Sequence, residues 1–157
     1  MRIDALLHAS LLKSGKKLAL AESCTGGAMA AALTAIPGAS QFFLGSVVAY
    51  SNVWKEQFLG VSPKTLSSKG AVSREAVEEM VRGLFLRTEC DFAAAVSGIA
   101  GPTGGEIGKP VGTVFIAVAK RGEPIDVQLI HGPKDRKEVI DMAVQTTFKK
   151  LYDLSTH

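Results

Sequence analysis

Cysteine is scarce in this chain. The two present, Cys24 and Cys90, form neither a disulfide framework nor a Cys-x-x-Cys pair of the kind that holds zinc. Aromatic residues make up only 6% of the sequence, and the net charge is a weak +3. No basic stripe is interleaved with aromatics, which argues against nucleic acid as a partner. Long apolar runs are missing too. Nothing approaches the ~20 residues of a membrane span, and Met1 to Ser14 lack the apolar core of a signal peptide. Histidine is sparse and badly placed for a Ser-His-Asp triad: His8 lies in a helical pattern, His131 ends a strand pattern, and His157 is the last residue. The simple expectation is a cytoplasmic protein with no membrane anchor and no metal centre.

The composition is otherwise that of an ordinary globular chain. With 157 residues, 46% hydrophobic and 21% charged, it has the length for one domain spanning 1–157 with a substantial core. Ala5, Leu6, Leu7, Leu11 and Leu12 follow helical spacing, with Gly15 as C-cap. Lys17 to Ala21 reads as a short strand and about Thr25 to Thr34 as a helix, stopped by Ile36-Pro37-Gly38. Phe42 to Tyr50 is apolar and β-branched, a second strand, and Ser51-Asn52 caps a short helix carrying Trp54, Lys55 and Phe58. Ser62-Pro63 has N-cap and N1 character. Ser73-Arg74-Glu75-Ala76 opens an amphipathic helix through Val77, Met80, Val81, Leu84 and Phe85. Asp91 to Ile99 is a third strand. Val111 to Ala119 and Ile125 to His131 flank a hairpin turn at Lys120 to Pro124, and a last helix runs from about Lys134 to Tyr152. Helices and strands that alternate first, followed by a late hairpin, predict an α/β single-domain three-layer sandwich. Its sheet should be mixed but mostly parallel, with an antiparallel edge.

Four polar or glycine-rich segments fall where strands end: Glu22-Ser23-Cys24-Thr25-Gly26-Gly27, Tyr50 to Lys55, Ser97-Gly98, and the loop Gly101-Pro102-Thr103-Gly104-Gly105 leading to Lys109-Pro110. In an open α/β sheet the carboxyl ends of strands gather at one crevice, where ligands bind. Turn chemistry alone explains any one segment; four at one edge point to a site. Ser23 and Thr25 precede a helix N-terminus, which suits an anion or an activated hydroxyl. A serine nucleophile needs a base, and a lysine whose pKa is lowered by burial can serve. Lys55 is one turn beyond the second strand, although on position alone it reads first as a solvated surface lysine, and Tyr50 as a packing residue. Glu22 reads either as an ion-pair partner or as a polar ligand. The 101–105 loop matches neither a Walker motif nor a Rossmann fingerprint, yet it offers backbone N–H groups to an anion. Arg136, at the start of the last helix, is a candidate phosphate partner or an exposed arginine.

Six segments occur in order: Ala-Glu-Ser-Cys-Thr-Gly-Gly (21–27), Ile-Pro-Gly-Ala-Ser (36–40), Tyr-Ser-Asn-Val-Trp-Lys (50–55), Gly-Ala-Val-Ser (70–73), Ser-Gly-Ile-Ala-Gly-Pro-Thr-Gly-Gly (97–105) and Lys-Pro-Val-Gly-Thr-Val (109–114). Together they resemble the C-terminal domain family of the competence/damage-inducible CinA proteins, over nearly the whole chain. The longer members' N-terminal molybdopterin-binding-like domain has no counterpart here, so the resemblance implies a stand-alone form. It further implies hydrolysis of the carboxamide of nicotinamide mononucleotide to nicotinate mononucleotide and ammonia, with no metal or organic cofactor. Ser23 would be the nucleophile and Lys55 the base, with Tyr50 and Thr25 in support. Amides around Thr25, Gly26 and Gly27 would hold the oxyanion. Glu22, Ser97, Gly98, Gly101, Gly104, Gly105 and Arg136 would serve the nucleotide site. One position departs from the pattern: where family members often carry an arginine one turn after Asp135-Arg136, this chain has Ile140. The resemblance, and the expectation that Phe42, Phe43 and Trp54 are exposed, imply a homo-oligomer. Two rival readings follow from the same residues, a non-catalytic nucleotide- or partner-binding module and a hydrolase of a different amide or phosphorylated metabolite.

Overall fold

Helix α1 (Ile3–Ser14) ends where Gly15 turns into the left-handed region (φ 67°) and its N–H returns to the Leu11 carbonyl, the expected C-cap. The computed structural model describes residues 1–157. The strands are β1 (Leu18–Glu22), β2 (Phe43–Val48), β3 (Phe92–Gly98), β4 (Thr113–Lys120) and β5 (Asp126–His131). The remaining helices are α2 (Ala28–Thr34), α3 (Asn52–Leu59), α4 (Pro63–Ser68), α5 (Arg74–Arg87) and α6 (Arg136–Thr156), and a 3₁₀ turn spans Ala39–Gln41. One five-stranded sheet runs β2-β1-β3-β4-β5. β1 pairs in parallel with both β2 and β3, and β4 pairs antiparallel with both β3 and β5, so only β4 opposes the common direction. The expected mixed, mostly parallel sandwich with an antiparallel edge is borne out.

The sheet divides two apolar layers, because successive side chains of a strand face opposite ways. On one face Leu18, Leu20, Ala94, Val96, Val114, Ile116 and Val118 pack with Leu7, Leu11, Met29, Val139 and Phe148 from α1, α2 and α6. On the other, Ala19, Ala21, Ala93, Ala95, Ala117 and Ala119 meet Leu59 of α3 and Val77, Met80, Val81 and Leu84 of α5. Alanines on the second face let α5 lie close to the sheet. α5 in turn admits α3 at Gly83, where a Cβ would collide with the Leu59 carbonyl.

β1 is the switch point. The chain leaves it through α2 on one face to reach β2, and leaves β2 through α5 on the other face to reach β3, on β1's far side. The crevice at the carboxyl end of β1 is therefore open between diverging connections, the usual ligand position in such sheets. Two boundaries moved by three residues or more: α6 runs on to Thr156 and not Tyr152, and the start of α2 shifted by three. α2 begins at Ala28 and not Thr25, because Gly26 (φ 57°) and Gly27 (φ 102°) are both left-handed and a right-handed helix cannot run through them. Phe42 is 1% exposed, contrary to expectation, whereas Trp54 is half exposed and packs on Phe58. No helix is long and apolar enough to cross a membrane.

Candidate active site

Ser23 is the first residue beyond β1. Its N–H donates to the Val96 carbonyl (3.0 Å) and its own carbonyl accepts from the Gly26 N–H (3.0 Å), which fixes a tight turn before α2. Strand alternation directs Ser23 towards the α3/α5 face and Glu22 to the opposite one. From α3, Lys55 reaches back under the end of β2. Its ammonium nitrogen donates to Ser23 Oγ (3.1 Å) and to the carbonyls of Ala49 (2.8 Å) and Tyr50 (3.3 Å). Ser51 caps α3 by accepting from the Trp54 N–H, which sets the helix where Lys55 can make this reach.

Lys55 is 1% exposed and pairs with no carboxylate. Burial lowers its pKa from 10.5 to about 8, the desolvation that disfavours an ammonium ion. The neighbouring Cys24 thiol goes the other way, pushed by burial from 9.0 to about 12. Near neutral pH it stays protonated, neither holding the lysine's proton nor competing with Ser23 as a nucleophile. A neutral amine at Lys55 has two hydrogens and one lone pair. With the hydrogens directed to the Ala49 and Tyr50 carbonyls, the lone pair faces Ser23 Oγ, as a general base requires.

A pocket of about 180 Å³ opens on this pair, lined by residues from three of the four strand-end segments but not from the 101–105 loop: Ser23, Cys24, Tyr50, Asn52, Lys55, Ala71, Val72, Ser97, Gly98, Ala100 and Arg136. Its charged members, Lys55 and Arg136, are both cationic. The amides of Cys24, Thr25 and Gly27 donate to nothing within the chain. Gly98 forms part of the floor. A Cβ there would stand 2.7 Å from Val114 Cγ2 and 2.8 Å from the Thr113 carbonyl. Arg136 ties the rim, donating to the Gly101 carbonyl (2.7 Å) and the Tyr50 hydroxyl (3.2 Å).

Several sequence expectations need correction. Glu22 is fully buried, with its carboxylate accepting from the Thr25 hydroxyl (2.8 Å), the Met29 and Ala30 N–H groups (2.9 and 3.2 Å) and the Ser46 hydroxyl (2.8 Å). It therefore faces no substrate. It also occupies the N-terminus of α2, so that helix end is not an open anion site, and Thr25 is engaged by Glu22 and turned away from the pocket. Tyr50 contributes its carbonyl to Lys55, while its 61% exposed side chain stands at the rim with Arg136 and not against Ser23. The Gly26 N–H is consumed by the Ser23 turn and is lost to an oxyanion. Gly101 meets the site only through Arg136, and Gly104 and Gly105 do not reach it; Gly105 lines a separate groove with Glu106, Ile107 and Lys134. Ser97 lines the pocket, but its hydroxyl is spent on the Ala71 carbonyl (2.8 Å). Ile140, in the second turn of α6, is partly buried and packs against the apolar core. Cys24, Asn52, Ala71, Val72 and Ala100 line the pocket without having been selected as site residues. Each lies within or beside a quoted segment, which was the available signal.

Fold and site together define an α/β domain with a buried serine–lysine pair at a strand-end crevice. The family model described as the CinA C-terminal domain matches residues 1–155, and the chain belongs to that family. A CinA-like protein of Synechococcus sp. (strain CC9902) is 46% identical over 155 residues, 96% of this chain and 37% of the relative. A CinA-like protein of Thermotoga neapolitana is 57% identical over 107 residues, covering 68% of this chain and 26% of the relative. The chain thus spans roughly a quarter to two fifths of the length of these curated relatives. Solved structures match more fully. The competence damage-inducible protein A (ComA) of Klebsiella pneumoniae has a TM-score of 0.94 at 37% identity, covering 99% of this chain and 96% of that one. The competence/damage inducible protein CihA of Agrobacterium tumefaciens has a TM-score of 0.93 at 37% identity, with 97% and 94% covered.

Proposed function

We propose that the protein is a serine–lysine amidohydrolase that deamidates nicotinamide mononucleotide, in pyridine-nucleotide recycling. The observation that carries this reading is the 3.1 Å approach of Lys55 Nζ to Ser23 Oγ, with Lys55 buried and unpaired. In the neutral form Lys55 removes the Ser23 proton as Oγ attacks the carboxamide carbon. The resulting oxyanion is met by the free amides of the 24–27 turn, each such donor typically contributing about 3 kcal/mol to the transition state. Lys55 returns its proton to the leaving nitrogen, the C–N bond breaks, and ammonia departs from an acyl-serine ester. Water then adds to the ester carbon, giving up a proton to Lys55, which passes it to Ser23 Oγ as the ester C–O bond breaks. The carboxylic acid product ionises, its proton passing to solvent or to the released ammonia, and leaves as the carboxylate. Every proton taken is returned, so the residues present suffice for the chemistry. Arg136 at the rim is suited to the nucleotide phosphate, as guanidinium groups are.

Ammonia release from nicotinamide mononucleotide by the purified protein tests the reading directly. Release that is lost in Ser23→Ala and Lys55→Ala supports it. Equal release by either variant, or none by the unaltered protein, overturns it.

A further inference from the structure

Glu22 is a charged side chain with no exposure and no cation beside it. Such a carboxylate is costly unless its oxygens are fully satisfied. Its four donors come from three separate parts of the chain. Thr25 belongs to the Ser23 turn. Met29 and Ala30 are the second and third residues of α2, whose N-cap Gly27 has no side chain to offer, so Glu22 caps this helix from the strand. Ser46 lies on β2, and β2 leads to Ala49, whose N–H donates to the Glu22 backbone carbonyl (2.8 Å) and whose carbonyl receives Lys55. The nucleophile's turn and the carbonyls that orient Lys55 thus meet at one residue.

We propose that Glu22 is the positioning residue of the Ser23–Lys55 pair, its carboxylate holding the Ser23 turn, helix α2 and strand β2 in fixed register. It acts through the backbone, on the face of the sheet away from the pocket, and touches no substrate. Misplacement of the pair by a fraction of an ångström is enough to slow attack, since reacting groups must meet at near-contact distance. The inference rests on Ser23 as nucleophile but not on the identity of the amide.

A small alkyl fluorophosphonate provides the test. Ser23 Oγ attacks phosphorus, fluoride leaves, and Lys55 accepts the proton, so the reaction reads the pair without the natural substrate. Glu22→Gln keeps an acceptor for Thr25 and Met29 but presents an amide nitrogen to Ala30. The expected result is a limiting inactivation rate about 10- to 100-fold lower, with the half-saturating probe concentration unchanged. A purely structural loss would lower the folded fraction and leave the rate per folded molecule alone. Ser46→Ala, which removes one donor from the same carboxylate, should slow inactivation about threefold, and the double variant should be no slower than Glu22→Gln. Labelling of folded Glu22→Gln at the unaltered rate overturns the inference, as does an unaltered protein that is not labelled at Ser23. If Glu22→Gln does not fold, Ser46→Ala decides: an unchanged rate overturns, a slower one supports. Normal labelling that is slowed by Glu22→Gln, in a protein that releases no ammonia from nicotinamide mononucleotide, leaves this inference standing and defeats the proposed substrate.

Discussion

On the proposed mechanism, titration of Lys55 should govern both activity and stability, and the two can be measured independently. With its pKa at about 8, the neutral amine is about 1% of the population at pH 6, about a tenth at pH 7 and half at pH 8. Catalytic efficiency for ammonia release should therefore climb about 50-fold between pH 6 and 8 and level off above about 8.5. Stability carries the same signature. The folded pKa lies below the unfolded value of 10.5, so between about 8 and 10.5 the unfolded chain binds a proton that the folded protein does not. Burying the ammonium thus costs stability below about pH 8, and the cost is relieved as pH rises towards 10.5. The shift corresponds to about 3 kcal/mol as an upper bound. Water in the open pocket reduces this to about 2 kcal/mol. Lys55→Met removes the titration while retaining length and apolar volume. Urea unfolding of both proteins at pH 7.5 and pH 10 isolates the effect, because other lysines and tyrosines titrate equally in each. The unaltered protein should gain about 1.5 kcal/mol on the variant across that interval, since at pH 10 the unfolded lysine is still mostly protonated. A flat rate profile from pH 6 to 9, together with a stability difference that does not move with pH, would refute the reasoning.

Other consequences are as specific. Ser23→Ala should abolish turnover while leaving nucleotide binding within about twofold, read by calorimetry, because the hydroxyl contributes to bond making and little to ground-state affinity. Arg136→Ala removes its bonds to Gly101 and Tyr50 and should raise KM for a phosphorylated nucleotide by about 10- to 100-fold, the loss of about 1.5–3 kcal/mol in charge-assisted bonding. KM for the corresponding nucleoside should change far less. Gly98→Ala forces a methyl against Val114 and the Thr113 carbonyl, and should cost about 1–3 kcal/mol in urea unfolding and shrink the pocket floor. Gly83→Ala should push α3 away from α5 and carry Lys55 with it, lowering kcat as well as the melting temperature; full activity in a stably folded Gly83→Ala would contradict the close approach.

The secondary structure was largely legible because apolar period and punctuation agreed. Gly15, Pro63 and Ser73 act where local chemistry alone predicts, as C-cap, N1 and N-cap, whereas the Asp135 cap of α6 lies inside the helix expected from about Lys134. Where two left-handed glycines followed one another, at 26 and 27, the helix start was misread, since sequence gives no φ. The candidate site was legible as segments, for a strand that ends in polar and glycine-rich residues advertises a crevice. Individual roles were less so. Glu22 and Ser23 are adjacent in sequence yet face opposite sides of the sheet, and only the path of α2 shows that the carboxylate is consumed on its own side. Gly104 and Gly105 sit in a glycine-rich loop like their neighbours, but neither lines the Ser23 pocket, and Gly105 lies at another groove.

The chain by itself determined the alternation of strands and helices, hence a sheet with connections on both faces, and the membership of Ser23 to Gly27, Tyr50 to Lys55 and Ser97 to Gly98 in strand-end segments. Those features are local, set by side-chain period, caps and turns within a few residues. Tertiary structure alone decided that Lys55 lies buried beneath Ser23. A lysine on a short helix is by default solvated, and its burial, its lowered pKa and its aim at a serine 32 positions away follow from α3 closing on α5 and from the carbonyls at the end of β2. Desolvation and hydrogen-bond direction depend on groups distant in sequence, which is why the paired chemistry of the Ser23 turn emerges only once the sheet is assembled.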